Sequence, residues 1–405
     1  MHKKICENNN IYVKCAKIII YKKTKVCYYQ GIERRKRGKE MLQTIENVNA
    51  AVNNFVWGVP AMVCIIGVGL VLSARTGFIQ FRKFGYAIKN SIGRIFTKSE
   101  AKEGSITPFQ AVCTALAATV GTGNIAGVAG AIAIGGAGAV FWMWITALIG
   151  SSTAFVEATL AQLHKEKDPL YGGYRGGPAY YIHHYMEEHQ GKKKRYSVIA
   201  VLFAISGLIC WCGISQVISN SVTSSFENAF SIPPIYTTVI LVVLAAVIVL
   251  RKNATVKVLD VVVPIMAVCY FLITVFLILT NLSSIPGVFS RIFEEAFGVR
   301  QVAAGGFGAV LMNGVKRGLF SNEAGSGSAP CAAAAAECDL PVKAGLVQAL
   351  GVFIDTIVIC SCTAMIMLLV PQDQIEGLAG MELLQTAMRY HLGEAGVIFI
   401  AVMLF

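Results

Sequence analysis

The sequence predicts an all-α protein that crosses a lipid bilayer many times. Of its 405 residues, 55% are hydrophobic and 14% are charged, and the mean hydropathy is +0.61. Soluble domains carry about 25% charged residues, and a membrane-spanning helix needs roughly 20 apolar residues to cross a core of about 30 Å. The composition therefore excludes a soluble globular enzyme as the first interpretation, and the apolar content excludes a disordered chain. The length leaves room for about nine or ten spans with their loops.

Apolar segments separated by polar loops define the predicted spans. They lie at about 54–74, 107–135, 139–163, 197–220, 234–250, 258–281, 301–336, 343–370 and from about 395 onward. Two of these spans contain polar, glycine-rich interruptions: GTGN at 121–124 in the second span, and SNEAGSGS at 321–328 in the seventh. We call these interruptions the first and the second break.

Basic residues alternate between the predicted loops. The loops 75–106, 164–196 and 251–257 contain seventeen Lys and Arg residues, whereas the loops 221–233, 282–300 and 371–394 contain three. By the positive-inside rule, the first set is cytoplasmic and the segment before the first span is external.

Residues 1–40 form a strongly basic N-terminal extension, which carries 12 of the 35 Lys and Arg residues. Such a segment suits anionic lipid headgroups better than a nucleic acid. On the external side it would contradict the positive-inside rule. We therefore expect translation to start at Met41, with residues 1–40 a mis-assigned start.

The two breaks lie five spans apart, so the helices that contain them run in opposite directions. Broken helices at corresponding positions of two halves are typical of inverted-repeat transporters, whose binding site lies at the membrane midplane. The predicted organisation is the basic extension 1–40, an extra first helix with a basic inner loop at 41–106, a first five-helix repeat at 107–282, and a second repeat at 283–405 that is incomplete as the sequence stands.

The first break offers a binding site for a carboxylate and a cation. Irregular backbone at membrane depth is tolerated where it lines a cavity or is buried in protein. The exposed N–H groups of one half-helix bind an anion without a basic side chain, and the carbonyl groups of the other suit Na⁺. Gly121 and Gly123 permit close approach, while Thr122 and Asn124 add side-chain oxygens. Close helix packing by small residues is the alternative explanation.

Acidic residues within the predicted spans are expected to have partners. Glu323 in the second break would cost roughly 2.5–3.5 kcal/mol at mid-membrane if it were isolated, and Lys316 and Arg317 are candidate partners. Glu157 and Asp355 are further intramembrane acids. Each is either an ion ligand or a structural polar clamp.

No enzyme site is predicted within the bilayer. All six histidines fall outside the predicted spans, and the spacing of the 12 cysteines matches neither a metal site nor a disulfide framework. An intramembrane serine protease would recruit Ser326 or Ser328, with Lys316 as its base. Gln216 in the fourth span either faces a cavity or forms an interhelical hydrogen bond.

Residues 135–150, GGAGAVFWMWITALIG, resemble the signature of the alanine/glycine:cation symporter family, the sodium:alanine symporters. Three further segments are similar to the same family: GTGNIAGVAGAI at 121–132, YRGGPAYYI at 174–182 and GLFSNEAGSGSAP at 318–330. The resemblance extends over residues 41–405.

The resemblance implies a LeuT-like inverted-repeat bundle in which an extra helix precedes a ten-helix core. It also implies roles for individual residues. Thr122, Gly123 and Asn124 would hold the substrate carboxylate, Gln216, Asn322 and Gly325 would contact its amino group and side chain, and the backbone carbonyls of Ala117 and Val120 would form half of a sodium site. The other half is expected from hydroxyl groups of a span beyond Phe405.

The function implied is sodium-coupled symport of a small neutral amino acid, alanine or glycine, by a multi-pass protein of the cell membrane, of the bacterial inner-membrane type. Na⁺ is the coupling ion, and no other cofactor and no enzymatic activity are expected. Oligomeric state is not indicated. A proton-coupled transporter that uses Glu323 or Asp355, a channel, a structural scaffold and a non-functional truncated product are the alternatives.

Overall fold

The computed structural model describes residues 41–91, 121–169, 173–191, 196–250, 254–298 and 306–405. The chain divides into two compact units, residues 1–63 and 64–405, with the boundary inside one helix. In the described ranges the chain is almost entirely helical, and its strands are limited to one two-residue antiparallel hairpin. The prediction of an all-α protein is confirmed.

The helices of the first half are α1 (41–56), α2 (Val59–Arg75), α3 (Ile79–Arg82), α4 (Phe84–Ser91), α5 (Ala126–Gly135), α6 (Gly138–Leu163), α7 (Pro178–Gln190), α8 (Val198–Phe230) and α9 (Pro234–Leu250). Strands β1 (Glu166–Lys167) and β2 (Tyr174–Arg175) lie between α6 and α7. The second half contains α10 (Ala254–Thr280), α11 (Ile285–Ala296), α12 (Gly306–Asn322), α13 (Ser328–Ala335), α14 (Pro341–Val352), α15 (Cys360–Leu368), α16 (Gln372–Ile375), α17 (Gly380–Leu392) and α18 (Glu394–Leu404). A short 3₁₀ helix (Leu282–Ser284) precedes α11, and a π-helical segment (Phe353–Ile359) joins α14 to α15.

Five helical stretches of the described residues are long and apolar enough to cross a bilayer. They are Met41–Arg75, Gly138–Leu163, Val198–Phe230, Val262–Thr280 and Pro341–Leu368, and three shorter apolar helices lie at Ala126–Gly135, Pro234–Ile248 and Glu394–Leu404. These helices lie at the predicted spans, with three differences. The first stretch begins at Met41 and not near 54, and α8 continues ten residues beyond the predicted end at 220. The described part of the predicted seventh span, 301–336, consists of the shorter helices α12 and α13. The inverted repeat and the domain boundaries stay predictions.

Four predicted loops contain short helices that hydropathy did not identify, and three of these helices are longer than eight residues. They are α7, α11 and α17. Each is only 12 or 13 residues long and mixes apolar with polar positions, so an average over a membrane-length window hides it. In α11, Val288 and Ile292 are buried, and both lie on the face that packs into the protein.

Glycines bring the backbones of neighbouring helices into direct contact with α6. A Cβ atom at Gly138 would lie 2.4 Å from Ala296 N, and a Cβ atom at Gly345 would lie 2.6 Å from Phe155 O. Small residues at such crossings are typical of helix packing in membranes. These contacts fix α11 and α14 against α6, which carries one wall of the site.

The N-terminus of α6 is closed by a carboxylate from α11. Glu295 accepts hydrogen bonds from the backbone N–H groups of Ala137, at 2.6 Å, and Gly138, at 3.3 Å. Its other oxygen accepts a hydrogen bond from Arg291 Nε at 2.7 Å. An acidic group at this end satisfies otherwise unpaired N–H groups and suits the helix dipole.

Candidate functional site

The first break is non-helical in the structure. Residues 121–125 form consecutive turns, and α5 begins directly afterwards at Ala126. Gly127 N–H donates to Thr122 O at 2.9 Å, so the turn is tied to the start of α5. Neither Gly121 nor Gly123 has a positive φ angle, so left-handed backbone does not explain these glycines. The residues before 121, including Ala117 and Val120, lie outside the described residues.

The second break is shorter than the predicted stretch 321–328. Helix α12 ends at Asn322, and α13 begins at Ser328. Three residues between them have left-handed backbone: Glu323 with φ 49°, Gly325 with φ 93° and Gly327 with φ 94°. Glycine adopts this conformation at little cost, whereas it is uncommon for glutamate and such residues cluster at functional sites.

Glu157 of α6 is a clamp on the second break. Its Oε2 atom accepts a hydrogen bond from Gly325 N–H at 3.1 Å. The preceding N–H group, of Ala324, donates to Asn322 Oδ1 at 3.0 Å. Two backbone donors that the broken helix leaves unpaired are thus satisfied by side chains, as irregular backbone in a membrane protein requires. In the described structure, the intramembrane acid Glu157 therefore bonds to the backbone of the second break, and its role as an ion ligand stays a prediction.

The prediction that Lys316 or Arg317 pairs with Glu323 is wrong. Its carboxylate accepts a hydrogen bond from the hydroxyl group of Ser328, across the break. The described residues record no ion pair between Glu323 and either Lys316 or Arg317. Helix α12 ends at Asn322, so Glu323 lies outside the helix, and helical spacing does not place its carboxylate next to Lys316 or Arg317.

A buried polar cluster joins the two breaks. Ser321 Oγ, at the end of α12, lies 2.8 Å from Asn124 Oδ1 and 2.8 Å from Asp355 Oδ2. Asn124 Nδ2 donates to Asp355 Oδ1 at 2.7 Å, and Thr356 Oγ1 donates to Asp355 Oδ2 at 3.1 Å. All four side chains are at most 1% exposed. The two interruptions are therefore neighbours in space, and Asp355 connects them.

The backbone around Asp355 is itself irregular. Residues 353–359 form a π-helical segment within an otherwise α-helical stretch. Single turns of π-helix are rare and occur frequently at functional sites. The segment places both Asp355 and Thr356 against the breaks, which makes it the third irregular piece of backbone at this site.

The C-terminal end of α13, the helix that follows the second break, is also held by side chains. Gln162 Nε2 donates to the carbonyls of Ala333 and Ala336, the latter at 2.8 Å, and Lys165 Nζ donates to Ala336 O at 2.9 Å. A cation suits the C-terminal end of a helix. Partial burial lowers the pKa of Lys165. Helix α13 is thus held at Ser328 by Glu323, and at its end by Gln162 in the last turn of α6 and by Lys165 just after it.

The predicted substrate-binding residues fall into two groups. Thr122, Gly123, Asn124 and Asn322 are buried at the breaks, whereas Gly325 is exposed. Asn322 Nδ2 is a buried donor without a hydrogen-bond partner among the described residues. Gln216 lies in the middle of α8 and is exposed, and no hydrogen bond of the described residues links it to either break.

Sequence reasoning missed two members of the cluster, Ser321 and Thr356, as partners of Asp355. Adjacent Asp355 and Thr356 interrupt an apolar run, FIDTIVI, and that was the available signal. The cap on α13 had no comparable signal, because Gln162 and Lys165 lie at a helix end where polar residues are ordinary.

Comparisons with known proteins show which family this chain is similar to. The model of the sodium:alanine symporter family matches residues 42–405. A probable sodium/glutamine symporter of Bacillus subtilis, GlnT, is 42% identical over 366 residues, which cover 90% of this chain and 74% of the relative. The sodium/alanine symporter AgcS of Methanococcus maripaludis is 40% identical over 329 residues, covering 81% and 71%. The amino-acid carrier protein AlsT of Bacillus subtilis is 41% identical over 365 residues, covering 88% and 74%.

Proposed function

The chain belongs to the sodium:alanine symporter family, a family of transporters and not of enzymes, and we propose that it carries a small neutral amino acid across the cell membrane together with Na⁺. Alanine or glycine is the proposed substrate. The name of the AgcS relative supports alanine, whereas the name of the GlnT relative makes glutamine the competing substrate.

The observation that carries the proposal is the contact between the two breaks through Ser321, Asn124 and Asp355. Paired interrupted helices at the midplane present free backbone groups to a substrate, which continuous helices cannot do. In this proposal Thr122, Gly123 and Asn124 hold the carboxylate of the amino acid, and Gln216 and Gly325 contact its other end.

Asn322 receives a more specific role. Its Oδ1 atom already accepts the Ala324 N–H, so the amide orientation leaves Nδ2 as the unpaired group. An amide N–H₂ group only donates hydrogen bonds. It therefore suits the carboxylate of the substrate and not the ammonium group. A buried donor without a partner costs about 1–3 kcal/mol, and a bound carboxylate would remove that cost.

The coupling ion is proposed to bind at the backbone carbonyls of Ala117 and Val120, next to the first break. Na⁺ that orders this segment also orders the groups that hold the substrate carboxylate. The two ligands then increase each other's affinity reciprocally.

Uptake of radiolabelled alanine by the purified protein in proteoliposomes tests the proposal. We expect accumulation when an inward Na⁺ gradient is imposed, little accumulation when K⁺ replaces Na⁺, and competition by unlabelled glycine. Uptake that is independent of Na⁺, or that is driven by a pH gradient alone, would refute sodium coupling. Competition by glutamine alone would refute the proposed substrate.

A pair of variants in α12 tests the role of Asn322. Asn322→Ala should raise the KM for alanine roughly tenfold, as loss of one charge-assisted hydrogen bond predicts. Asn313→Ala is the matched control, because the Asn313 amide donates to Ala309 O of its own helix at 2.9 Å. Equal KM values for the two variants would contradict a contact between Asn322 and the substrate.

A further inference from the structure

A cavity of about 190 Å³ lies between α3, α4, α6 and the point where α14 meets the π-helical segment. Its lining is mostly apolar and includes the rings of Phe81, Phe84 and Phe353. The rings of Phe84 and Phe353 pack edge to face, with centroids 4.8 Å apart. Apolar cavities of about 150 Å³ hold a benzene molecule. This cavity therefore has room for one aromatic ring with a small substituent.

A tight turn between α2 and α3 places one polar side chain in the lining, that of Gln80. Gly77, with φ 64°, and Phe78, with φ 54°, have left-handed backbone, and Phe78 N–H donates to Ser73 O at 2.7 Å. The turn brings Gln80 next to the end of α2, where its Nε2 atom donates to Ser73 Oγ at 3.0 Å. Left-handed backbone is uncommon for phenylalanine, and such residues cluster at functional sites.

The other end of the Gln80 amide is an unpaired acceptor. Gln80 is 7% exposed, and its Oε1 atom is buried without a hydrogen-bond partner among the described residues. Ser151, the second polar residue of the lining, donates to Ala147 O at 2.8 Å and is satisfied. Apolar cavities of this kind stay dry, so water does not satisfy Oε1. Because a carbonyl oxygen only accepts hydrogen bonds, a ligand that satisfies it must be a donor.

The lining also excludes a charged ligand. None of the described residues that line the cavity is charged, so the charge of a bound ion would stay unpaired at a high cost. A free amino acid carries two charges at neutral pH and is excluded for the same reason. The cavity is therefore a different site from the one that joins the two breaks.

We propose that this cavity binds a small uncharged molecule that combines one aromatic ring with one hydroxyl group, as phenol does. The ring packs against Phe81, Phe84 and Phe353, since aromatic rings attract one another in edge-to-face and offset arrangements. The hydroxyl group donates to Gln80 Oε1 after the Gln80 side chain turns towards it. The ligand thus supplies the hydrogen bond that the fold leaves unmade.

The position of the cavity links its occupant to transport, a consequence that rests on the proposed function. Phe353 is the first residue of the π-helical segment. Two residues later, Asp355 Oδ1 accepts a hydrogen bond from Asn124 Nδ2 of the first break at 2.7 Å. A ring packed against Phe353 opposes any rearrangement of this segment during the transport cycle. The ligand should therefore slow transport without competing with the amino acid.

Fluorine NMR of two probes with the purified full chain in nanodiscs tests the site. We expect the parent to bind 4-fluorophenol saturably and roughly tenfold more tightly than fluorobenzene, because only the phenol makes the hydrogen bond. Gln80→Met keeps the length of the side chain and removes the acceptor, so it should bind the two probes equally. The lipid is the same in every sample, so partitioning of the probes into the bilayer cancels between parent and variant.

Phe81→Leu and Phe78→Leu form a matched pair. The two side chains are 53% and 52% exposed, and of the two Phe81 alone lines the cavity. Phe81→Leu should weaken binding of both probes severalfold, whereas Phe78→Leu should bind them as the parent does. This pair decides the question if Gln80→Met does not fold, as judged by size-exclusion chromatography.

Three results would overturn the site. They are an unchanged preference for the phenol in Gln80→Met, equal weakening by Phe81→Leu and Phe78→Leu, and a parent that binds neither probe saturably. The last result is expected if a lipid chain fills the cavity.

Alanine uptake by proteoliposomes tests the link to transport. In the parent, 4-fluorophenol should lower the maximal rate and leave the KM for alanine unchanged, and Gln80→Met should be less sensitive. Equal inhibition of both would overturn the link, because the phenol would then act through the bilayer. A parent that binds 4-fluorophenol but takes up no alanine with Na⁺ contradicts the proposed function and leaves the cavity site intact.

Discussion

Helix α12 crosses α6 at Gly314, and the addition of one methyl group at that crossing should separate the two helices. A Cβ atom at Gly314 would lie 2.5 Å from Ala139 O and 2.6 Å from Trp142 Cβ. Optimal contacts between carbon atoms are about 3.5–4.0 Å, so the helices must part by about 1 Å. Two of the three nearest atoms belong to the α6 backbone, which cannot adopt another rotamer.

The expected cost follows from two opposing effects. Insertion of a methyl group into a well-packed interface costs typically 1–3 kcal/mol. Replacement of glycine by alanine inside a helix recovers about 1 kcal/mol through helix propensity. Gly308→Ala in the same helix isolates the second effect, because a Cβ atom there meets nothing within 4 Å. The difference between the two variants should therefore be the packing cost alone, about 1–3 kcal/mol.

The same displacement should reach the transport site. Gly314 and Ser321 are separated by seven residues, or about 10 Å along α12, and the hydrogen bonds of Ser321 to Asn124 and Asp355 require its present position. We expect Gly314→Ala to lower the apparent Na⁺ affinity for alanine uptake, whereas Gly308→Ala should leave it unchanged.

Thermal unfolding in detergent, followed by size-exclusion chromatography, provides the first measurement, and Na⁺-dependent uptake in proteoliposomes provides the second. Gly314→Ala should unfold several degrees below Gly308→Ala. Equal unfolding temperatures would refute the close approach of α12 to α6. A lower unfolding temperature with unchanged Na⁺ affinity would refute the link between this crossing and the site.

Two further predictions concern groups outside the transport site. Glu295→Ala leaves the N–H groups at the start of α6 without their acceptor and should destabilise the protein by about 1.5–3 kcal/mol. Glu294→Ala, at a half-buried neighbour whose carboxylate accepts a hydrogen bond from Ser290 of the same helix, should lower the unfolding temperature less. Burial lowers the pKa of His391, so the folded protein resists its protonation, and stability should fall as the pH drops below about 6.5. His391→Gln should weaken this pH dependence of the unfolding temperature, while the exposed His189→Gln should preserve it; identical slopes would contradict the assignment.

Much of the architecture follows from the sequence because the bilayer imposes local rules. Apolar runs of about 20 residues predict spans, and the confirmed helices Gly138–Leu163 and Pro341–Leu368 lie within a few residues of them. The second break was predictable for the same reason, since a glycine-rich polar stretch such as 321–328 suits a helix interior badly. Its shorter extent, from Glu323 to Gly327, depends on left-handed backbone angles that composition does not reveal.

The family was also evident from contiguous residues, because segments such as 135–150 and 318–330 retain recognisable patterns within themselves. The amphipathic helices α11 and α17 were not evident from the sequence, because their apolar residues form a buried face only when they pack against other helices. Likewise, the partner of Glu323 could not be read from helical spacing, because the break redirects its side chain to Ser328.

The sequence by itself determined that this protein has several long apolar helices of membrane-spanning length, where those helices run and where the two polar breaks lie. Each of these properties depends on neighbours along the chain and on the cost of unpaired backbone groups in lipid. Only the tertiary structure decided that Asn124 bonds to Asp355, 231 positions away along the chain. Ser321 bonds to Asn124 at the same place. That contact depends on how each helix is rotated and on how closely it approaches α6, and glycines such as Gly314 permit the close approach.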